Sequence, residues 1–156
     1  MDFLNKTVLV IGMARSGIAA AKVLHGLGAA IILNDAKPAD QLNIDTELQG
    51  EGYTWALGDK PDAYVDQADL ILVSPSVPLS LPYAHKAQEQ GKEVLAELEL
   101  AYRLCKAPCV AITGTNGKTT TTTLTGQIFA DAGRGNYVVG NIGTPFILYA
   151  LEAKET

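Results

Sequence analysis

The chain is poor in the residues that mark several large protein classes. It has only two cysteines, Cys105 and Cys109, and two histidines, His25 and His85, far off in sequence. Two thiols four positions apart, with no second pair, make a poor zinc site. They read as reduced, structural residues. No apolar run approaches the roughly 18 residues that a membrane span needs. Basic side chains are outnumbered, 12 against 17 acidic, for a net charge of −5. That balance argues against a general nucleic-acid binder, whose affinity rests on neutralising phosphates. The first residues, Met1-Asp2-Phe3-Leu4-Asn5-Lys6, have neither the basic start nor the apolar length of a secretory signal. The expected location is cytoplasmic. There is no repeat of fixed period, and no biased segment apart from the threonines Thr119 to Thr123.

What is present is enough for a core. The 156 residues are 47% hydrophobic and 19% charged. This suits one ordinary domain, or a small domain plus a piece of another. Thr7-Val8-Leu9-Val10-Ile11 is a continuous apolar, β-branched run, which reads as a strand buried on both faces of a parallel sheet. Ile18, Ala21, Leu24 and Leu27 then recur at helical spacing, and Gly28 closes the helix. Ala30 to Leu33 is a second strand ending at Asn34-Asp35. The same alternation continues in looser form. Leu42 to Leu48 suggest a helix ending near Gly50 and Gly52. Tyr53 to Leu57 is a strand, Pro61 to Gln67 a turn or short helix, and Asp69 to Val73 a strand. Tyr83 to Gln90 is a helix closed by Gly91, Glu93 to Ala96 a strand, and Glu97 to Cys105 a helix. Strands alternating with helices predict a doubly covered parallel sheet.

Gly12-Met13-Ala14-Arg15-Ser16-Gly17 invites comparison with the dinucleotide fingerprint G-x-G-x-x-G, with an acid about twenty residues on. Gly12, Gly17 and Asp35 fit. Ala14 stands where the middle glycine lets a backbone approach pyrophosphate, and this weakens the dinucleotide reading. Arg15 and Ser16 at a helix start offer a guanidinium and a hydroxyl to a phosphate or diphosphate in another pose. Ser74-Pro75-Ser76-Val77-Pro78, after the fourth strand, is stiffened by its prolines. Loops at Gly12, Asp35 and Ser74 all follow strands, so they can meet over one crevice.

The strongest signal comes later. The apolar run Cys109-Val110-Ala111-Ile112 reads as a strand. Gly114-Thr115-Asn116-Gly117-Lys118-Thr119-Thr120 follows, and Leu124, Ile128 and Phe129 fall on one helix face. Strand, glycine-rich turn and helix form a phosphate cradle, with Lys118 supplying charge and the Thr119 hydroxyl a magnesium ligand. The usual loop, G-x-x-x-x-G-K-S/T, would begin with a glycine at Ile112, so this is a variant. Gly133 stops the helix. Asn136 to Val139 reads as a further strand leading to Gly140-Asn141-Ile142-Gly143, and Thr144 to Glu152 as the start of a helix. The Pro108 turn marks a boundary. Residues 107–156 are too few for a P-loop domain, so the expectation is the front part of a longer protein.

Together these motifs resemble the Mur ligases, the ATP-dependent amide-forming enzymes of peptidoglycan precursor synthesis. The resemblance spans the whole chain. Its specific part is Ala111-Ile112-Thr113-Gly114-Thr115-Asn116-Gly117-Lys118-Thr119-Thr120 followed by Gly140-Asn141-Ile142-Gly143. It implies an α/β protein with a Rossmann-like parallel sheet, helices on both faces, over residues 1–106. Residues 107–156 would be the start of a central P-loop ATPase domain. It implies ATP and Mg2+ as cofactors, with Gly114, Thr115, Asn116, Gly117, Lys118, Thr119 and Thr120 at the nucleotide, Lys118 catalytic and Thr119 on the metal. Arg15, Ser16, Asp35, Lys37, Ser74 and Asn141 would bind a UDP-sugar substrate. The substrates implied are UDP-N-acetylmuramoyl-L-alanine and D-glutamate, joined through an acyl-phosphate by a monomeric enzyme. The family's further metal-binding residues would lie beyond residue 156, so the fragment is expected to be inactive alone. The family's usual Ser-Pro-Gly is Ser74-Pro75-Ser76 here, which puts a side chain at the expected uracil contact. Another Mur ligase, a folylpolyglutamate synthase-like ligase and a non-enzymatic nucleotide-binding module are the alternatives.

Overall fold

A computed structural model describes residues 1–42, 48, 50, 52–141 and 143–154. Five parallel strands form one sheet: β1 (Thr7–Ile11), β2 (Ala30–Asp35), β3 (Tyr53–Leu57), β4 (Leu70–Val73) and β5 (Glu93–Ala96). Their order is β3-β2-β1-β4-β5. Val8 of β1 lies beside Ile31 of β2 and Leu70 of β4, and Ile11 beside Asn34 and Val73. The strands are therefore in step, and their carboxyl ends finish at one edge.

Alternation within each strand sorts side chains into two cores, as a two-sided sheet requires. Val8, Val10, Ile31, Leu33, Leu72 and Leu95 face helices α1 (Arg15–Gly26) and α3 (Glu97–Leu104), burying Ala20, Ala21, Leu24, Leu100 and Ala101. Leu9, Ile11, Ile32, Ile71 and Val73 face the other way. They pack on Tyr83 and Ala87 of α2 (Pro82–Glu89) and on Val65 and Ala68. The expected turn at 61–67 is two short 3-10 turns, Pro61–Ala63 and Val65–Gln67. Gly28 (φ +90°) and Gly91 (φ +64°) adopt the left-handed backbone that ends α1 and α2. The helix expected over Leu42 to Leu48 lies largely outside the described residues.

The part beyond Pro108 departs from expectation. Cys109 to Ile112 form no strand, and Val110 is exposed. A strand exists only through its ladder partners, and this stretch pairs with none of the five strands. The helix that follows does form, as α4 (Lys118–Asp131), with Gly117 at its N-cap (φ +76°), but it buries none of its residues. Asn136 to Val139 are likewise no strand; Val139 makes an isolated bridge to Thr144. The last helix is short, α5 (Ile147–Ala150), and it packs on α1 and α3. Phe146, Ile147 and Ala150 join the first core. Among the described residues no helix is long and apolar enough to cross a membrane.

Leu24 is fully buried, whereas Leu124 on α4 is 58% exposed. Leu24→Ala is expected to cost about 2–5 kcal/mol, and Leu124→Ala less than about 0.5 kcal/mol. Urea unfolding of both variants checks this; equal shifts in midpoint would contradict the burial pattern.

Candidate functional site

Strand order reverses between β1 and β4, and in open parallel sheets the ligand crevice lies beyond the carboxyl ends of the strands at such a point. Two tight contacts build it. The Ser74 hydroxyl, buried after β4, donates to the Gly12 carbonyl after β1 at 2.8 Å. Gly17, in the first turn of α1, packs against the same pair. A Cβ there would stand 2.0 Å from the Gly12 carbonyl oxygen and 2.7 Å from Ser74 Oγ. Ser74 thus joins the two loops, and its proton is committed to Gly12.

Asp35, at the end of β2, ties in the next loop. One carboxylate oxygen accepts the Met13 N–H at 2.8 Å, and the other the Lys37 N–H at 3.0 Å. Each oxygen keeps a further lone pair, so the carboxylate can still accept from a ligand hydroxyl. Ala14 is extended and provides no side-chain cap to α1. The first N–H groups of α1 therefore have no side-chain partner from the cap. Arg15 and Ser16 stand in that first turn, Arg15 exposed and Ser16 half-buried. Lys37 is also exposed.

Arg15 reaches across to the end of the chain, donating from Nη2 to the Gly143 carbonyl at 3.3 Å. That contact brings Gly143, two residues after exposed Asn141, to Arg15. Arg15, Asp35, Ser74 and Gly143 are therefore linked at the carboxyl ends of the strands. The stretch 114–120 is built separately. Gly114 (φ +146°) and Gly117 shape the turn, and Lys118 folds over it. Its ammonium donates to the Gly114 carbonyl and, at 3.3 Å, to that of Thr115. Without the strand expected at Cys109 to Ile112, the strand–loop–helix cradle is not assembled in this chain.

Two polar residues in this region escaped the sequence reading. Asn34 is buried at the end of β2, where its amide donates to the carbonyls of Ala56 (2.7 Å) and Asp59 (3.0 Å). It fixes the β3 end beside the crevice. Glu97, the first residue of α3, is buried and accepts the Ile147 N–H at 2.9 Å. Burial holds its pKa above the ordinary 4.5, partly offset by the Ile147 bond. An acid opening a helix ordinarily answers the helix dipole, and that pattern hid the role of Glu97.

A family profile described as "Mur ligase MurD-like, N-terminal domain" matches residues 6–96, all five strands. The chain belongs to this family. It is 48% identical over 158 residues to the UDP-N-acetylmuramoylalanine–D-glutamate ligase of Alkaliphilus metalliredigens, covering 99% of this chain and 35% of that protein. It is 49% identical over 150 residues to the enzyme of the same name from Clostridioides difficile, covering 94% and 33%. The chain thus spans about a third of the length of these curated relatives. Among solved structures, a pseudomurein peptide ligase type C from Methanothermus fervidus superposes with a TM-score of 0.54 at 27% identity, over 83% of this chain and 27% of that one. The similarity to these ligases extends past the profile match, over 99% of the chain.

Two outcomes are expected. Gly17→Ala should cost about 1–3 kcal/mol. Gly26→Ala, at a helical site where a Cβ meets nothing within 4 Å, should stabilise by about 0.5–1 kcal/mol. Urea midpoints test the pair, and a tolerated Gly17→Ala would refute the close approach. The raised pKa of Glu97 means that the folded chain holds this proton more tightly than the unfolded one. Its contribution is fully present below the ordinary value of 4.5 and is lost as pH rises through the folded value. Glu97→Gln should therefore flatten the fall in stability above that pH. Unfolding curves from acid to neutral pH measure it, and an unchanged slope would count against the assignment.

Proposed function

We propose that this chain is the UDP-substrate-binding part of an ATP-dependent ligase, together with the opening of its nucleotide site. The reaction is the addition of D-glutamate to UDP-N-acetylmuramoyl-L-alanine in peptidoglycan precursor synthesis. The observation that carries the reading is the strand-order reversal, where the uncapped start of α1 stands with Arg15 and Ser16. Helix N–H groups, a guanidinium and a hydroxyl match a diphosphate. Asp35 suits the uridine hydroxyls and Lys37 adds charge beside it. Ser74 contributes by holding the two loops together, and Asn141 meets the sugar-diphosphate from the far side. The same positions suit a UDP-sugar better than NAD, because Ala14 fills the place where a glycine would let pyrophosphate sit close.

The boundary between the two parts is placed at residues 106 and 107. In the longer protein, Cys109 to Ile112 gain ladder partners and present the 114–120 loop to ATP. The loop suits a nucleotide: Gly117 (φ +76°) turns the backbone into α4, whose first turn carries Lys118 and Thr119. Gly114 to Thr120 would hold the phosphates through N–H groups, Lys118 would neutralise their charge, and the Thr119 hydroxyl would be one ligand of Mg2+. Bound ATP supplies the phosphoryl group that activates the substrate carboxylate. Among the described residues no cluster of three or more His, Cys, Asp or Glu side chains could hold a metal. In this reading the remaining metal ligands and the D-glutamate site belong to the rest of the longer protein. The chain alone binds the UDP-substrate and does not ligate. The whole enzyme is a cytoplasmic monomer in this reading.

Calorimetric titration of the chain with UDP-N-acetylmuramoyl-L-alanine, UDP and NAD tests the crevice. Both uridine compounds should bind, and Arg15→Ala should weaken them by about tenfold or more, as for hydrogen bonds to a charged group. Binding of NAD with no uridine compound would overturn the reading. In the longer protein, Lys118→Ala should abolish turnover and leave UDP-substrate binding nearly unchanged. Equal loss of both would mean that the two sites are wrongly separated.

A further inference from the structure

The chain that follows Asn141 is fixed at two points by residues that the first 106 positions provide. Arg15 Nη2 holds the Gly143 carbonyl at 3.3 Å. Four residues on, the Ile147 N–H is held by Glu97 Oε1 at 2.9 Å. Phe146 and Ile147 are buried against α1 and α3. Glu97 is only 4% exposed, and its one described hydrogen bond is this one. A buried carboxylate is costly unless something is returned for it. An apolar residue would pack α3 on α5 as well. Nor does the helix dipole account for the burial, since Glu99 in the same turn answers it from the surface and pairs with Arg103 at 2.8 Å.

We propose that Glu97 is a positioning residue: its carboxylate, with Arg15 at Gly143, anchors the chain just after Asn141 and so sets where Asn141 stands beside the substrate crevice. The anchoring of the loop stands on the contacts above; its consequence for ligand rests on the substrate reading of the crevice. The required property is an acceptor at that place, so glutamine should serve and alanine should not. Neither Glu97 nor its hydrogen bond touches the ligand, and the effect on binding passes through Asn141.

The test compares Glu97→Ala and Glu97→Gln in the whole chain by amide hydrogen exchange and by titration with UDP-N-acetylmuramoyl-L-alanine. In Glu97→Ala, protection at Ile147 should fall by about ten- to a hundredfold, the range for a hydrogen bond to a charged group. Protection of Val8 to Ile11 should be unchanged, and Glu97→Gln should retain most of the protection at Ile147. The ligand should bind more weakly to Glu97→Ala, and the pair Glu97→Ala with Asn141→Ala should bind no more weakly than Asn141→Ala alone. Unchanged protection at Ile147, equal loss across the sheet amides, loss in Glu97→Gln as large as in Glu97→Ala, or additive effects on binding would each overturn the proposal. If the unaltered chain binds no uridine compound, the substrate reading and the role assigned to Asn141 fail, while exchange at Ile147 still decides whether Glu97 anchors the loop.

Discussion

Everything at the crevice depends on one close approach. The Gly12 carbonyl, the Gly17 backbone and the Ser74 hydroxyl occupy a space with no room for another methyl group. This junction brings α1 hard against the end of β1 and holds the β4 loop to it. It thereby sets where the first N–H groups of α1 point, and with them Arg15. A looser junction would leave the same residues present but not convergent, and convergence is what a diphosphate needs. The Asp35 contact with the Met13 N–H extends the same frame to β2.

Much of the fold was legible because its two signals agree. Val8 to Ile11, Ile31 to Leu33 and Ile71 to Val73 are apolar on both faces, which only a doubly covered parallel sheet accepts. Glycines such as Gly28 and Gly91 fall where the helices end. The gathering of Gly12, Asp35 and Ser74 on one edge followed from strand direction alone. Sequence could not show that Ser74 spends its hydroxyl on Gly12, because that depends on the distance between two loops 62 residues apart. Glu97 was hidden for a similar reason. Its neighbour Glu99 has the same local chemistry, and only the fold decides which of the two is covered by α5.

The stretch after Pro108 shows where local pattern gives out. Cys109 to Ile112 have the composition of a buried strand but no strand beside them, and a β-strand is a property of pairs. α4 forms without such help, because its hydrogen bonds are internal. Its threonines are weak helix formers, yet Gly117 at the N-cap and the continuous ladder suffice. Leu124 and Ile128 remain exposed, an apolar face that the longer relatives have chain enough to cover. The 114–120 loop therefore keeps its turn and its lysine while the sheet that would orient it is missing.

Placing α5 in the first core has a mechanical consequence. The chain leaves the sheet after α3 and comes back at Phe146, so the intervening segment is joined to the sheet at two points. A body hung from a single tether can turn about any direction. One held at two separate crossings is confined largely to swinging about the line through them. The return contact from Glu97 to Ile147 spans 50 residues, and the closure entropy of such a long loop rises only slowly with its length. The segment carrying Lys118 can thus lengthen or change without disturbing the two crossings.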